Sequence, residues 1–155
     1  MSGLGNLVHT DDGVGIHAIQ RLQIDPRVPP GVTLIDGDTQ GLSLLFHISG
    51  FRRLLVIDAM DAGEAPGTIQ RMEGKAAMDL PGKSSVHQLG FADLMLPLKL
   101  LGEPPEELVV AGVQPMSTEC SAELTPPVEK ALGPLLDSVV VQLESWIAES
   151  AKIAN

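Results

Sequence analysis

A chain of 155 residues fits one domain with a single core, spanning residues 1–155. Hydrophobic residues make up 44% of it and charged residues 19%, which excludes wholesale disorder. The formal net charge of -10, with no Lys/Arg cluster, argues against a nucleic-acid partner and reads first as a solubilising surface.

Gly3-Leu4-Gly5-Asn6 is a glycine-rich turn of the kind that follows a buried strand. Almost nothing precedes it, so the first strand is expected to be missing or truncated, which would expose two sheet edges. A helix follows over residues 11–24, with Val14, Ile16, Ala18, Ile19 and Leu22 on its apolar face. Asp11 or Asp12 can cap its start. Asp25-Pro26 and Pro29-Pro30-Gly31 end it. Residues 32–35 form a short β-branched run, and Asp36-Gly37-Asp38 is a turn. Leu42 to Ile48 has the pattern of a helix. Arg53 to Ile57 is almost continuously apolar, as a strand covered on both faces should be.

After the turn of residues 61–67, Thr68 to Met72 is expected as a strand toward a sheet edge, because it carries Gln70 and Arg71. Residues 73–86 are polar and contain Gly and Pro, so a loop is expected. Leu89 to Leu101 is helical in period, although Pro97 should kink or shorten it. Leu108 to Val113 is another buried strand, and residues 114–124 are irregular. From Val128 to Ile147 the apolar residues keep a 3.6-residue period, and Pro126 and Pro127 suit a first turn. Strands alternating with helices predict an α/β fold: a twisted, mostly parallel sheet flanked by helices on both faces.

No basic and apolar leader is visible, and no apolar run reaches the roughly 18 residues of a membrane span. A cytoplasmic protein with no membrane partner is the expectation. Cys120 is the single cysteine, so a disulfide framework is excluded. It sits beside Glu119, and negative charge nearby raises a thiol pKa, which argues against a nucleophile.

The residues that carry chemistry are Asp12, Asp58 and His87. Each sits just past a hydrophobic run, in a tight turn. In an open parallel sheet the loops after the strands open onto one crevice. Two carboxylates and an imidazole converging there make a divalent-metal site with open positions. Asp12 also has the ordinary reading of a helix N-terminal acid, but Asp11 is equally available for that task. Asp58 ends a buried strand, where a carboxylate is costly unless paired or bound. His9 is near the same turn, while His17 and His47 read as helix-face residues. Gly3-x-Gly5 lacks the third glycine of a dinucleotide fingerprint, since position 8 is Val8.

Taken in order, Gly3-Leu4-Gly5-Asn6, Asp11-Asp12-Gly13-Val14-Gly15, Asp36-Gly37-Asp38-Thr39, Val56-Ile57-Asp58-Ala59, Ala65-Pro66-Gly67-Thr68, His87-Gln88-Leu89-Gly90 and Val113-Gln114-Pro115 resemble the maturation endopeptidases of nickel–iron hydrogenases. The resemblance implies removal of a C-terminal extension from the hydrogenase large-subunit precursor after nickel insertion. It assigns metal binding and catalysis to Asp12, Asp58 and His87, with nickel supplied by the substrate. It places substrate contacts at Gly5, Asn6, Asp36, Gly37 and Thr39. Asp38 stands where the family has a second glycine. Two other functions compete: a non-catalytic binder that checks the immature nickel-loaded subunit, and peptidyl-tRNA hydrolase, which shares a Gly-Leu-Gly-Asn turn. The acidic charge argues against the latter.

Overall fold

The structure is a computed structural model that describes residues 1–37, 43–79, 91–102 and 104–153. Five strands, β1 (Ser2–Gly3), β2 (Ile35–Asp36), β3 (Arg53–Ala59), β4 (Ile69–Glu73) and β5 (Glu107–Val113), form one sheet in the order β2-β1-β3-β5-β4. All neighbours are parallel except β4, which runs antiparallel to β5 at the edge. The helices are α1 (Val14–Gln23), α2 (Leu44–Ile48), α3 (Gly74–Met78), α4 (Phe91–Leu100) and α5 (Pro126–Ile153).

Strand alternation decides which residues face which layer. Leu55, Ile57, Ala59, Val109, Ala111 and Val113 pack against α1 and α5, where Ile19, Leu22, Leu132 and Leu135 are fully buried. Leu54, Val56, Leu108 and Val110 face the other way, against Leu44, Ile48, Ala77, Met95 and Leu98 of α2, α3 and α4. Helices therefore cover both faces, as the sequence predicts.

Several expectations shift. The first strand is present as two residues, hydrogen-bonded between β2 and β3. The β-branched run of residues 32–35 contributes only Ile35 to β2. The segment read as a loop over residues 73–86 begins with α3, a five-residue helix whose buried side chain is Ala77. The α4 helix runs through Pro97 over Phe91–Leu100. The start of the first helix is a 3-10 turn, Thr10–Gly13, before α1. His47 is exposed as expected; His17 is half-buried, with no hydrogen-bond partner for Nε2 among the described residues.

The chain passes from β1 to neighbouring β2 and then crosses over β1 to reach β3. The α1 connection leads from β1 to β2 on one face, and α2 returns on the other face to β3. The switch point of the sheet thus lies between β1 and β3, where an open parallel sheet has its crevice. The approach of α1 to this point is close. A Cβ on Gly15 would lie 2.3 Å from Leu4 O and 2.4 Å from Ile57 O, both backbone atoms. Gly15→Ala should therefore destabilise by about 3 kcal/mol, the upper end for overpacking, because no flexible side chain can yield. An unchanged urea midpoint would show that α1 can move away from the sheet.

Candidate active site at the sheet switch point

The turn after β1 is built by glycine. Gly5 has φ 126, and a Cβ there would lie 1.7 Å from Asp12 O. Only glycine lets the backbone of residue 5 rest against residue 12 in this conformation. Leu4 N donates to Ile57 O at 2.8 Å, which locks the same turn to the end of β3. Asp12, in the 3-10 turn after β1, and Asp58, near the end of β3, are thereby brought to one edge of the sheet. Both are 3% exposed. By alternation with Leu54 and Val56, Asp58 belongs to the face covered by α2, α3 and α4.

A second segment holds the Asp12 turn in place. Thr10 has φ 44, a left-handed conformation uncommon for a residue with a Cβ. Thr10 N donates to Ser121 O at 2.7 Å, and its hydroxyl donates to Glu119 O at 2.6 Å. Asp11 N donates to Ser117 O, and Ser121 N to Val8 O. The Asp11 carboxylate, fully buried, accepts from Met116 N, Ser117 N, Thr125 N and the Thr125 hydroxyl. Neither helix start at this turn has a side-chain cap. Asp11 is therefore not the helix cap that its position suggests. It fastens residues 116–125 and the approach to α5 onto the turn that carries Asp12.

Gln114, 6% exposed and directly after β5, organises the loop beyond Asp58. Its Oε1 accepts from Ala62 N and Glu64 N, and its Nε2 donates to Asp61 Oδ1 and Pro115 O. Hydrogen bonds from the Gln114 side chain and from Gly63 N hold the Asp61 carboxyl below its ordinary pKa. Sequence reasoning noted Val113-Gln114-Pro115 but not this task. The available signal was a polar residue directly ending a buried strand.

Of the residues expected to contact substrate, Gly5, Asn6, Asp36 and Gly37 lie at or just past the carboxyl ends of β1 and β2, on the same edge. Asn6 Oδ1 accepts from Val8 N at 3.0 Å, so it also shapes its own turn. Gly37 N donates to Gly3 O at 2.9 Å. Asp38, Thr39 and His87 lie outside the described residues. Among the described residues no group of three His, Cys, Asp or Glu side chains could hold an ion. Cys120 is exposed on the 116–125 segment. No helix among the described residues is long and apolar enough to cross a membrane.

A doubly covered, mostly parallel sheet with two buried carboxylates at its switch point defines an α/β protein whose candidate site lies at the carboxyl ends of β1 and β3. The family model for hydrogenase maturation protease (HycI) matches residues 16–142. The HupD hydrogenase expression/formation protein of Bradyrhizobium diazoefficiens is 36% identical over 147 residues, covering 93% of this chain and 77% of that protein. The hydrogenase 2 maturation protease of Escherichia coli is 35% identical over 143 residues, covering 91% and 87%. The solved structure of the hydrogenase maturating endopeptidase HybD from E. coli superposes with a TM-score of 0.84 at 34% identity, covering 93% of this chain and 90% of HybD. The chain belongs to the hydrogenase maturation protease family.

Proposed function

We propose that this protein is the endopeptidase that removes the C-terminal extension of a nickel–iron hydrogenase large-subunit precursor. In this reading the nickel carried by the precursor is gripped by Asp12, Asp58 and His87. The observation that carries it is the placement of Asp12 and Asp58, both buried, on either side of the switch point between β1 and β3. Two carboxylates at one end of the sheet offer oxygen ligands to a cation brought by the substrate. His87 lies four residues before Phe91, where α4 begins on the face to which Asp58 belongs.

The metal, when delivered, supplies a Lewis acid that can polarise the scissile carbonyl or acidify a water. The chain's own contribution is positional. Gly5 and Gly37 keep the turns low beside the crevice, Asp11 and Gln114 hold the surrounding loops, and the two carboxylates fix where the cargo sits. Cleavage adds water across the peptide bond: the carbonyl carbon gains the oxygen, the C–N bond breaks, and the departing amine takes a proton.

Nickel acts here as a checkpoint. Nickel-loaded precursor should be processed on the order of 100-fold faster than nickel-free precursor, by the usual worth of one electrostatic stabiliser. Mass spectrometry of the large subunit reads the loss of the extension. Equal rates for the two precursors would remove nickel from the proposal. Tight binding without loss of the peptide would make the protein a checkpoint binder instead.

A further inference from the structure

The connection from β3 to β4 has to pass over a third strand. β5 lies between them in the sheet, parallel to β3 and antiparallel to β4. Residues 60–68 therefore arch over the carboxyl end of β5, at the edge that carries Asp12 and Asp58. Gln114, the first residue after β5, sits beneath the arch and is nearly buried. Both feet of the arch are tied to this strand end. Met60 N donates to Val113 O at 2.9 Å, Gly67 N to Gln114 O at 2.8 Å, and Gln114 N to Thr68 O at 2.9 Å. The far foot also rests on the first turn of α5: a Cβ on Gly67, whose φ is 82, would lie 2.5 Å from Pro127 O.

The crown of the arch, residues 61–66, is exposed throughout, yet its backbone is held from below. A side-chain amide has two lone pairs on its oxygen and two N–H donors. Gln114 uses all four: Ala62 N and Glu64 N donate to Oε1, and Nε2 donates to Asp61 Oδ1 and Pro115 O. Gly63 N donates to Asp61 Oδ1 as well, so Asp61 to Glu64 are fixed one after another. A link that only had to join two strands would not need a saturated polar side chain in a nearly buried place. An apolar residue fills such a place with no bonds to satisfy.

On the reading that this protein processes a large-subunit precursor, we propose that the crown is the wall along which the precursor's C-terminal segment lies beside the scissile bond, and that Gln114 is the positioning residue that gives this wall its shape. The arch starts at Met60, two positions past Asp58. Neighbouring strands lie about 4.8 Å apart, so one or two residues of extended chain reach from Asp58 over the end of β5. Ala62, Gly63 and Ala65 carry little or no side chain, so an incoming backbone can come close to the crown. A wall that is already ordered spares the complex the cost of ordering it. The effect of Gln114 therefore falls on substrate binding and not on the chemical step.

The test is cleavage of nickel-loaded precursor at varied precursor concentration, read by mass, with the affinity for the same precursor measured in parallel by biolayer interferometry. Gln114→Met keeps the length of the side chain and removes its amide. In this variant the half-saturating concentration should rise about tenfold while the maximal rate stays within about twofold. Hydrogen exchange at Ala62 N and Glu64 N should quicken in the same protein. Gln114→Glu keeps an acceptor for those two amides but sets an anion against Asp61. Adding Asp61→Asn restores a donor to that contact and should recover most of the lost affinity. Ala65→Arg, on the exposed crown, should weaken binding by a similar factor with its melting temperature unchanged. An unaltered half-saturating concentration in Gln114→Met or Ala65→Arg, a loss confined to the maximal rate, or a double variant no better than Gln114→Glu would each overturn the positioning role. Wild-type protein that binds the precursor and leaves it uncleaved would sink the processing reading alone, and the affinity ratios would still decide what the crown does.

Discussion

Asp12→Asn and Asp58→Asn should each slow processing of nickel-loaded precursor by on the order of 10²- to 10³-fold and leave the thermal midpoint unchanged or raised. Asparagine keeps the shape of the side chain and removes its charge. Both carboxylates are 3% exposed, so the isosteric amide tests the charge with little change in packing. A group retained for folding would show the opposite pattern: loss of stability on substitution, with turnover per folded molecule intact. His87→Ala is expected to join the two asparagine variants in lost turnover. The measurement is a cleavage time course read by mass, with melting curves on the same preparations. Unchanged cleavage in any of the three would reject that residue's assignment. A drop in melting temperature that fully accounts for the lost activity would turn the carboxylate into a structural group.

The parts of the fold that were legible in the sequence are those where one residue's environment repeats. β3 and β5 are covered on both faces, so they are written as continuous apolar runs. The α5 helix packs one stripe against the sheet from Val128 to Trp146, and the 3.6-residue period survives that length. Gln70 and Arg71 marked β4 as peripheral because alternate positions of an edge strand meet solvent. β1 and β2 are two residues each, too short to carry any period, and they exist because β3 templates the ladder. α3 is hidden for a similar reason: one buried alanine in five residues is no pattern. Asp12 and Asp58 could be singled out because each ends a structural run. The role of Asp11 could not. Its partners lie more than 100 positions away, and three of the four donors are backbone amides, which no side-chain identity announces.

Asp11→Ala should cost about 3–4 kcal/mol and lower the melting temperature by about 10 °C. The estimate follows from what the substitution strands. Met116 N, Ser117 N and Thr125 N all donate to this one carboxylate, at 2.8, 3.1 and 2.8 Å. Each amide left without an acceptor costs about 1–3 kcal/mol when buried, and these are partly buried, which sets the total toward the lower end. Asp11→Asn should be nearly as damaging. The new amide donors would face amides that themselves donate, so one face of the cluster becomes repulsive. Stabilities of ordinary domains are about 5–15 kcal/mol, so either variant remains folded at low temperature but with little margin. The comparison with the neighbouring residue is the decisive one. Asp11→Asn should lose stability and recover much of its turnover when assayed well below its midpoint, whereas Asp12→Asn should lose turnover at every temperature and keep its midpoint. The reverse pairing would exchange the two roles: Asp11 would then face the substrate, and Asp12 would be the residue that ties the 116–125 segment to the sheet.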